Sequence, residues 1–306
     1  MLQYGRIHVQ RIHVGRIYLK FNQFNSLAVF RDTVLDILLE DEAGNNLPIS
    51  IITDSKSETS GSWLMATVTD DLDRIILIAL CALPHNSIIC QPLWVVDDLA
   101  QILNSVEFLA SELRRIKCKS SGVFARTDLA DRFADAYFGN TDNKVKTSSV
   151  CMKLDTAVSP EIVSGSFRQL DERDLSYAPA WERAFCIDCN IPLYSPEESI
   201  ARIKARIGSD RHYVWEDGGK PVSQVVYGRD TPGGAVINWV YTPPEFRGNG
   251  YASALTAEVS RLLFERGKKF CCLFADADNP VSRRVYAKIG YEDVGFFRQI
   301  QFDKDL

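Results

Sequence analysis

The sequence predicts a mixed α/β (α+β) protein built as two tandem domains, each a twisted mixed sheet flanked by helices. Three observations predict it. A chain of 306 residues holds about two domains of ordinary size, each able to bury its own core. A Ser-rich break with Pro160 and Gly165 crosses residues 156–166. On both sides of it, apolar strand-like runs and amphipathic helices follow one another in the same order. The expected domains are 1–160 and 161–306, with residues 1–20 as a poorly ordered arm.

In the first half, "IILIALCAL" (75–83) and "SIICQPLWV" (87–95) read as strands. Residues 97–117 carry Leu99, Ile102, Val106, Leu109, Leu113 and Ile116 at alternating spacings of three and four, the mark of an amphipathic helix. "SGVFA" is a strand, "DLADRFADAYFG" a short helix ending at Gly139, and "VCMKLD" alternates as a half-buried strand does.

In the second half, "SPEESIARIKARIG" (195–208) is a helix with Ser195 as cap, Pro196 at its first position and Glu198 closing a capping box. Ile200, Ile203 and Ile207 line one face. Strands "HYVWE", "PVSQVVYG" and "AVINWVYT" follow, separated by the turn-rich "DGGK" and "DTPGG". A helix over 250–266, a strand "FCCLFA", a helix "NPVSRRVYAKIG" capped by Asn279, and a strand "FFRQIQF" complete the order. The first half echoes the second part of this order, as a duplicated architecture would.

Composition narrows the function. A net charge of −5 gives no basic surface for phosphate backbones, so no nucleic-acid partner is expected. No apolar run reaches the about 20 residues of a membrane span, and arginines interrupt the N-terminus, so neither a membrane partner nor a signal peptide is expected. That N-terminus repeats RIHV, RIHV, RIYL from Arg6 to Leu19, for which we have no functional account. Eight scattered cysteines suit reduced thiols in a cytoplasmic protein. Cys186 and Cys189, in "CIDC", lack the second pair a zinc site needs and are expected in the core. His8 and His13 share no helix face, and His85 and His212 stand alone as structural histidines, so no metal site is expected.

The chemistry gathers in "VYTPPEFRGNGYASAL" (240–255), a strand, a tight loop and a helix start. Helix N-termini present free N–H groups to anions. Gly248 and Gly250 let main chain come close to a phosphate, and Arg247 adds a charged donor. A Walker loop is excluded by the missing Gly-Lys-Ser/Thr, and a dinucleotide fingerprint by the missing last glycine. The pattern that fits is Arg-x-x-Gly-x-Ala, at Arg247, Gly250 and Ala252, and the expected ligand is a phosphate or pyrophosphate, of a nucleotide or of coenzyme A. Downstream, Asn279, Ser282 and Tyr286 fall on one helix face, while Val281, Val285 and Ile289 fall on another, the expected core face.

Residues 166–306 resemble the GNAT superfamily of acyl-CoA-dependent N-acetyltransferases. The resemblance rests on "VYTPPEFRGNGYA", on "ADADNPVSRRVYAKIGY" and on the helix between them. It implies that acetyl-CoA is the cosubstrate, its pyrophosphate cradled by the amides of Arg247, Gly248, Asn249, Gly250, Tyr251 and Ala252. It implies that the strand before the loop splays and pairs with the pantetheine arm, here through Val240 and Thr242. Asn279, with Ser282 on its face, would bond the cofactor, and Tyr286 would be the general acid that protonates the departing thiolate. A small amine or amino-acid-like acceptor would attack the thioester directly, with a strand N–H polarising the carbonyl. Glu182, Asp188, Glu216, Asn238 and Asp276 stay open as the base. Homodimerisation is left open too.

The first half reads as a degenerate, non-catalytic GNAT-like copy. Asp97 and Asp98 stand where the phosphate loop would be, and Tyr137 is expected to pack. The alternatives are a CoA-binding regulator of the same fold without turnover, and an inert scaffold.

Overall fold

The computed structural model describes residues 7–9, 18–54, 63–82, 88–92, 99–139, 144–156 and 162–301. They form two compact units: residues 1–150 with 295–306, and residues 151–294.

The first unit runs β1 (Ile7–Val9), β2 (Lys20–Gln23), α1 (Leu27–Leu39), α2 (Asn46–Thr53), β3 (Trp63–Thr69), β4 (Ile75–Ala82), β5 (Ile88–Pro92), α3 (Leu99–Arg115), β6 (Gly122–Arg126) and α4 (Thr127–Phe138). β7 (Lys144–Leu154) leads into the second unit. Strands β1 to β5 pair antiparallel in chain order, and β5 pairs parallel with β6 across the α3 crossover. The apolar run at β4 is unbroken because both of its faces are covered. Ile78 and Leu80 pack with Phe30, Val34 and Leu38 of α1. Leu77, Ala79 and Cys81 pack with Val106, Leu109 and Leu113 of α3 and with Phe133 of α4. Leu99, counted on the apolar face of α3, is exposed at the helix start.

The second unit continues with β8 (Ser166–Gln169), α5 (Ala178–Asp188), α6 (Pro196–Arg206), β9 (His212–Asp217), β10 (Lys220–Asp230), β11 (Gly234–Tyr241), α7 (Tyr251–Glu265), β12 (Phe270–Asp276) and α8 (Pro280–Ala287). The last strand, β13 (Glu292–Gln301), starts here. Its end belongs to the first unit, where Phe297–Gln301 pairs antiparallel with β6. β8, β9, β10 and β11 pair antiparallel, and β11 pairs parallel with β12 across α7. The sequence β10–β11–α7–β12–α8 therefore has the topology of β4–β5–α3–β6–α4, as the repeated element order predicts.

Ser195 caps α6 through the Glu198 amide, and Glu198 returns to the Ser195 amide, the box read from the sequence. Of its isoleucines, Ile203 is buried and Ile207 half-buried, but Ile200 is exposed. The buried row of α6 runs through Ser199 and Ile203, one position earlier, because α6 packs on Leu170, Ala178 and Val214.

Candidate functional site

β11 is bent where the chemistry is expected. Trp239 has φ +52, and its ladder with β10 shifts register nearby, from Gln224↔Tyr241 to Val226↔Asn238. The parallel ladder with β12 runs from Gly234↔Phe270 to Ile237↔Leu273 and stops there, although β12 continues to Asp276. Beyond Ile237, the two strands part. Val240 and Thr242 lie on this unpaired end, and Thr242 is held from the β10 side by Ser223, its hydroxyl 2.9 Å away. Polar main chain left unpaired in this way needs a partner.

The loop after β11 is organised by its own side chains. Asn249 Nδ2 donates to the Phe246 carbonyl at 3.1 Å. Arg247 Nε donates to the Thr242 carbonyl at 2.9 Å, and Arg247 Nη2 pairs with Asp188 at the end of α5 at 2.6 Å. The Arg247 amide donates to the Pro244 carbonyl at 3.2 Å. The Arg247 amide is thus taken, and its guanidinium spends Nε and Nη2 on tying the loop to the end of β11 and to α5, while Nη1 makes no hydrogen bond among the described residues. The amides of Gly248, Asn249, Gly250, Tyr251 and Ala252 have no acceptor among the described residues. Gly248 and Gly250 both have φ +83, and Gly250 is the left-handed N-cap of α7. Left-handed turns of this kind at a helix start expose successive N–H groups, the geometry that backbone anion nests use. Tyr251 points its hydroxyl away, donating to Asp217 at 2.6 Å.

On α8, Asn279 caps the helix: its Oδ1 accepts from the amides of Val281 at 3.0 Å and Ser282 at 3.3 Å. The Asn279 Nδ2 group has no acceptor among the described residues. Ser282 Oγ donates to the Asn279 carbonyl at 2.9 Å. Val281, expected on a core face, is 60% exposed, because no residue of α8 is fully buried and the helix seats itself through half-buried Val285 and through Ile289 beyond its end. Tyr286 is half-buried, its ring 6.1 Å from that of Tyr291. Its hydroxyl has no hydrogen-bond partner among the described residues. Burial, and then the nearby Cys189 thiol, push it above the ordinary tyrosine range. Cys189 is exposed on the surface rather than in the core, unlike Cys186. Its thiol is still pushed up to about 11, by desolvation first and then by Asp188 and Asp276.

The five candidate bases separate. Glu182 is fully buried and shared by Arg202 Nε at 3.1 Å and Arg206 Nη1 at 3.0 Å. Asp188 holds Arg247, and Glu216 accepts from Arg168 Nε at 2.8 Å. Asp276 is exposed and accepts from the Asp278 amide at 3.0 Å. Asn238 leans over Gly228, where a Cβ would meet its Nδ2 at 2.3 Å.

Several side chains around Trp239 escaped the sequence reading. Phe185 of α5 lies 4.7 Å from the Trp239 ring and Tyr194 6.3 Å, centroid to centroid. Arg202 stands 4.0 Å over Tyr194, and Arg202 and Arg206 stand 5.6 and 5.4 Å over Trp239. The one local signal was Arg202 and Arg206 at i, i+4 on α6. His212 is buried, its Nε2 3.3 Å from Gln224 Oε1, and burial, then Arg206, bring it down to about 3. In the first unit, Asp97 and Asp98 lie outside the described residues. Tyr137 packs as expected, its hydroxyl donating to the Cys118 carbonyl at 2.6 Å and its ring stacked on Phe133.

Residues 177–291 match the acetyltransferase (GNAT) family. An acetyltransferase of Photorhabdus laumondii is 32% identical over 127 residues, 42% of this chain and 84% of that protein. Among solved structures, a GCN5-related N-acetyltransferase from Sphaerobacter thermophilus is similar over 96% of this chain and 98% of its own, with TM-score 0.60 at 16% identity. A tandem GNAT protein from the clavulanic acid biosynthesis pathway is similar over 93% and 98%, with TM-score 0.54 at 12% identity. These two structures speak for the fold alone.

Proposed function

The chain belongs to the acetyltransferase (GNAT) family as two tandem GNAT-like domains, and on that premise we propose that its second unit moves an acetyl group from acetyl-CoA to the primary amine of a small or amino-acid-like acceptor. The observation that carries this is the end of the β11–β12 ladder at Ile237↔Leu273, followed directly by a loop of unpaired amides. An acyl-CoA of the family supplies an activated thioester, an anionic pyrophosphate and an amide-bearing arm.

Each part of this chain has a task in that proposal. The amides of Gly248 to Ala252 take the pyrophosphate, and Arg247 braces the loop through Nε and Nη2 while its Nη1 can meet the anion. Val240 and Thr242 offer main-chain groups to the arm, and an N–H on the same strand polarises the carbonyl, as oxyanion donors do. Asn279 Nδ2 bonds the cofactor beside them, with Ser282 on the same face. Tyr286 holds its proton throughout the neutral range, being raised, and its unpartnered hydroxyl can pass that proton to the leaving sulfur. An amine must shed a proton before it attacks. With Glu182, Asp188 and Glu216 spent on arginines, Asp276 can receive it, or Asn238 can orient a water that does. The first unit is the non-catalytic copy: its Tyr137 hydroxyl is committed to the main chain.

Calorimetry with acetyl-CoA, on the intact chain and on Arg247→Ala combined with Gly250→Ala, tests the proposal. Micromolar binding that the double substitution abolishes is expected. A folded wild-type chain that does not bind overturns it.

A further inference from the structure

We propose that the acceptor carries a carboxylate, and that Arg202 and Arg206, beside Trp239, receive it; this rests on the acetyltransferase proposal for the same unit. Two arginines at i, i+4 on α6 repel one another and lower the helix's stability. They are kept together by one carboxylate, Glu182, which is 0% exposed. Neither guanidinium has a second carboxylate among the described residues. Arg183, from the turn of α5 next to Glu182, adds a third guanidinium and donates to the Tyr194 carbonyl. His212 contributes no charge at neutral pH. The cluster therefore carries an excess of positive charge that the fold itself does not neutralise.

The polar atoms are unfinished too. Arg206 Nη1 approaches Glu182 Oε1 at an angle that makes no hydrogen bond, and Glu182 Oε2 has no partner. A buried donor left in that condition costs free energy unless a ligand or water completes it. The side chain of Arg202 is 35% exposed and that of Arg206 16%, so the cluster is open to a ligand without being solvated like a surface pair.

Its position makes the excess functional. Both guanidiniums lie over the Trp239 ring, and Trp239 is the bent residue of the strand whose free end faces the proposed thioester. Phe185, Tyr194 and Trp239 give an aromatic wall for the acceptor's body. An arginine fork matches a planar carboxylate with two parallel bonds. An amine tethered to a carboxylate held there is delivered to the splayed strand.

Acetyl-CoA-dependent thiol release with matched acceptors tests this: tyrosine against tyramine, and lysine against cadaverine. We expect a carboxylate-bearing acceptor to exceed its partner about 10-fold or more in kcat/KM. Arg202→Gln and Arg206→Gln should each cut the acid's kcat/KM about 10- to 100-fold, mainly through KM, the loss of a charged hydrogen bond. The acid-to-amine ratio then falls toward one, and Arg202→Lys, which keeps the charge and places less strain on folding, restores part of it. Equal or better turnover of the amines in every pair overturns the inference, as does a ratio that survives both glutamine variants. Binding of acetyl-CoA without turnover of any carboxylate-bearing acceptor also overturns it. Failure to bind acetyl-CoA at all is a different result, which removes the acetyltransferase proposal along with it.

Discussion

Gly250→Ala and Gly250→Asn together separate two reasons for a glycine at the start of α7. Gly250 sits at φ +83, ψ −1, and a Cβ there would meet Val163 Cγ2 at 3.2 Å. Left-handed backbone costs an ordinary L-residue about 1–2 kcal/mol, and the Val163 contact adds to it unless that side chain yields. Alanine should thus lower the melting temperature by about 2–8 °C, at about 2–4 °C per kcal/mol for a unit of this size. Asparagine tolerates the left-handed region, so it should recover roughly half of that loss. Acetyl-CoA affinity should behave differently. Any Cβ at this position stands beside the free amides of the loop, so both variants should bind weakly in calorimetry at a temperature where both are folded. Thermal unfolding and calorimetry on the same samples decide the matter. If asparagine restores affinity as fully as it restores stability, the glycine serves the turn alone and the argument for close approach of a phosphate is refuted.

Two further outcomes follow from the site. Tyr286→Phe should lower kcat in the thiol-release assay by about 10²- to 10⁴-fold, the usual worth of a positioned acid, while calorimetric affinity for acetyl-CoA changes little; an unaltered kcat would show that Tyr286 only packs. His212 should make stability depend on pH. Burial and Arg206 depress it to about 3, against about 6.5 when unfolded. Between those values the unfolded chain binds the extra proton, so its contribution is complete above pH 6.5 and is lost as pH falls toward 3, at about 1.4 kcal/mol per pH unit. Denaturant titrations from pH 7 to 4 on wild type and His212→Gln should show a steeper loss in the wild type, and parallel curves would contradict the assignment.

Much of the second unit was legible in the chain itself, because its signals are local. The Ser195–Glu198 box, the Asn279 cap with Pro280, and the glycines at 248 and 250 specify backbone geometry within a few residues. The helices around them follow from apolar spacing. α1, α2 and α5 were not legible. α5 buries only Ala178, Glu182 and Cys186 and spends its aromatic residues on a neighbouring strand, so no apolar stripe announces it. Exposed Ile200 and Val281 show the limit of counting by threes and fours: a stripe fixes which residues share a face, while the neighbour chooses which part of that face is covered.

What the sequence by itself determined, then, is the order of elements and the left-handed glycine turn that opens α7, both set by interactions that span a turn or less. Tertiary structure alone decided the rest. The bend at Trp239, the parting of β11 from β12, the Arg247–Asp188 pair and the gathering of Glu182, Arg202 and Arg206 around the Trp239 ring join elements distant in sequence. Such contacts depend on packing geometry and on charges brought together from separate helices, and no spacing along one segment encodes them.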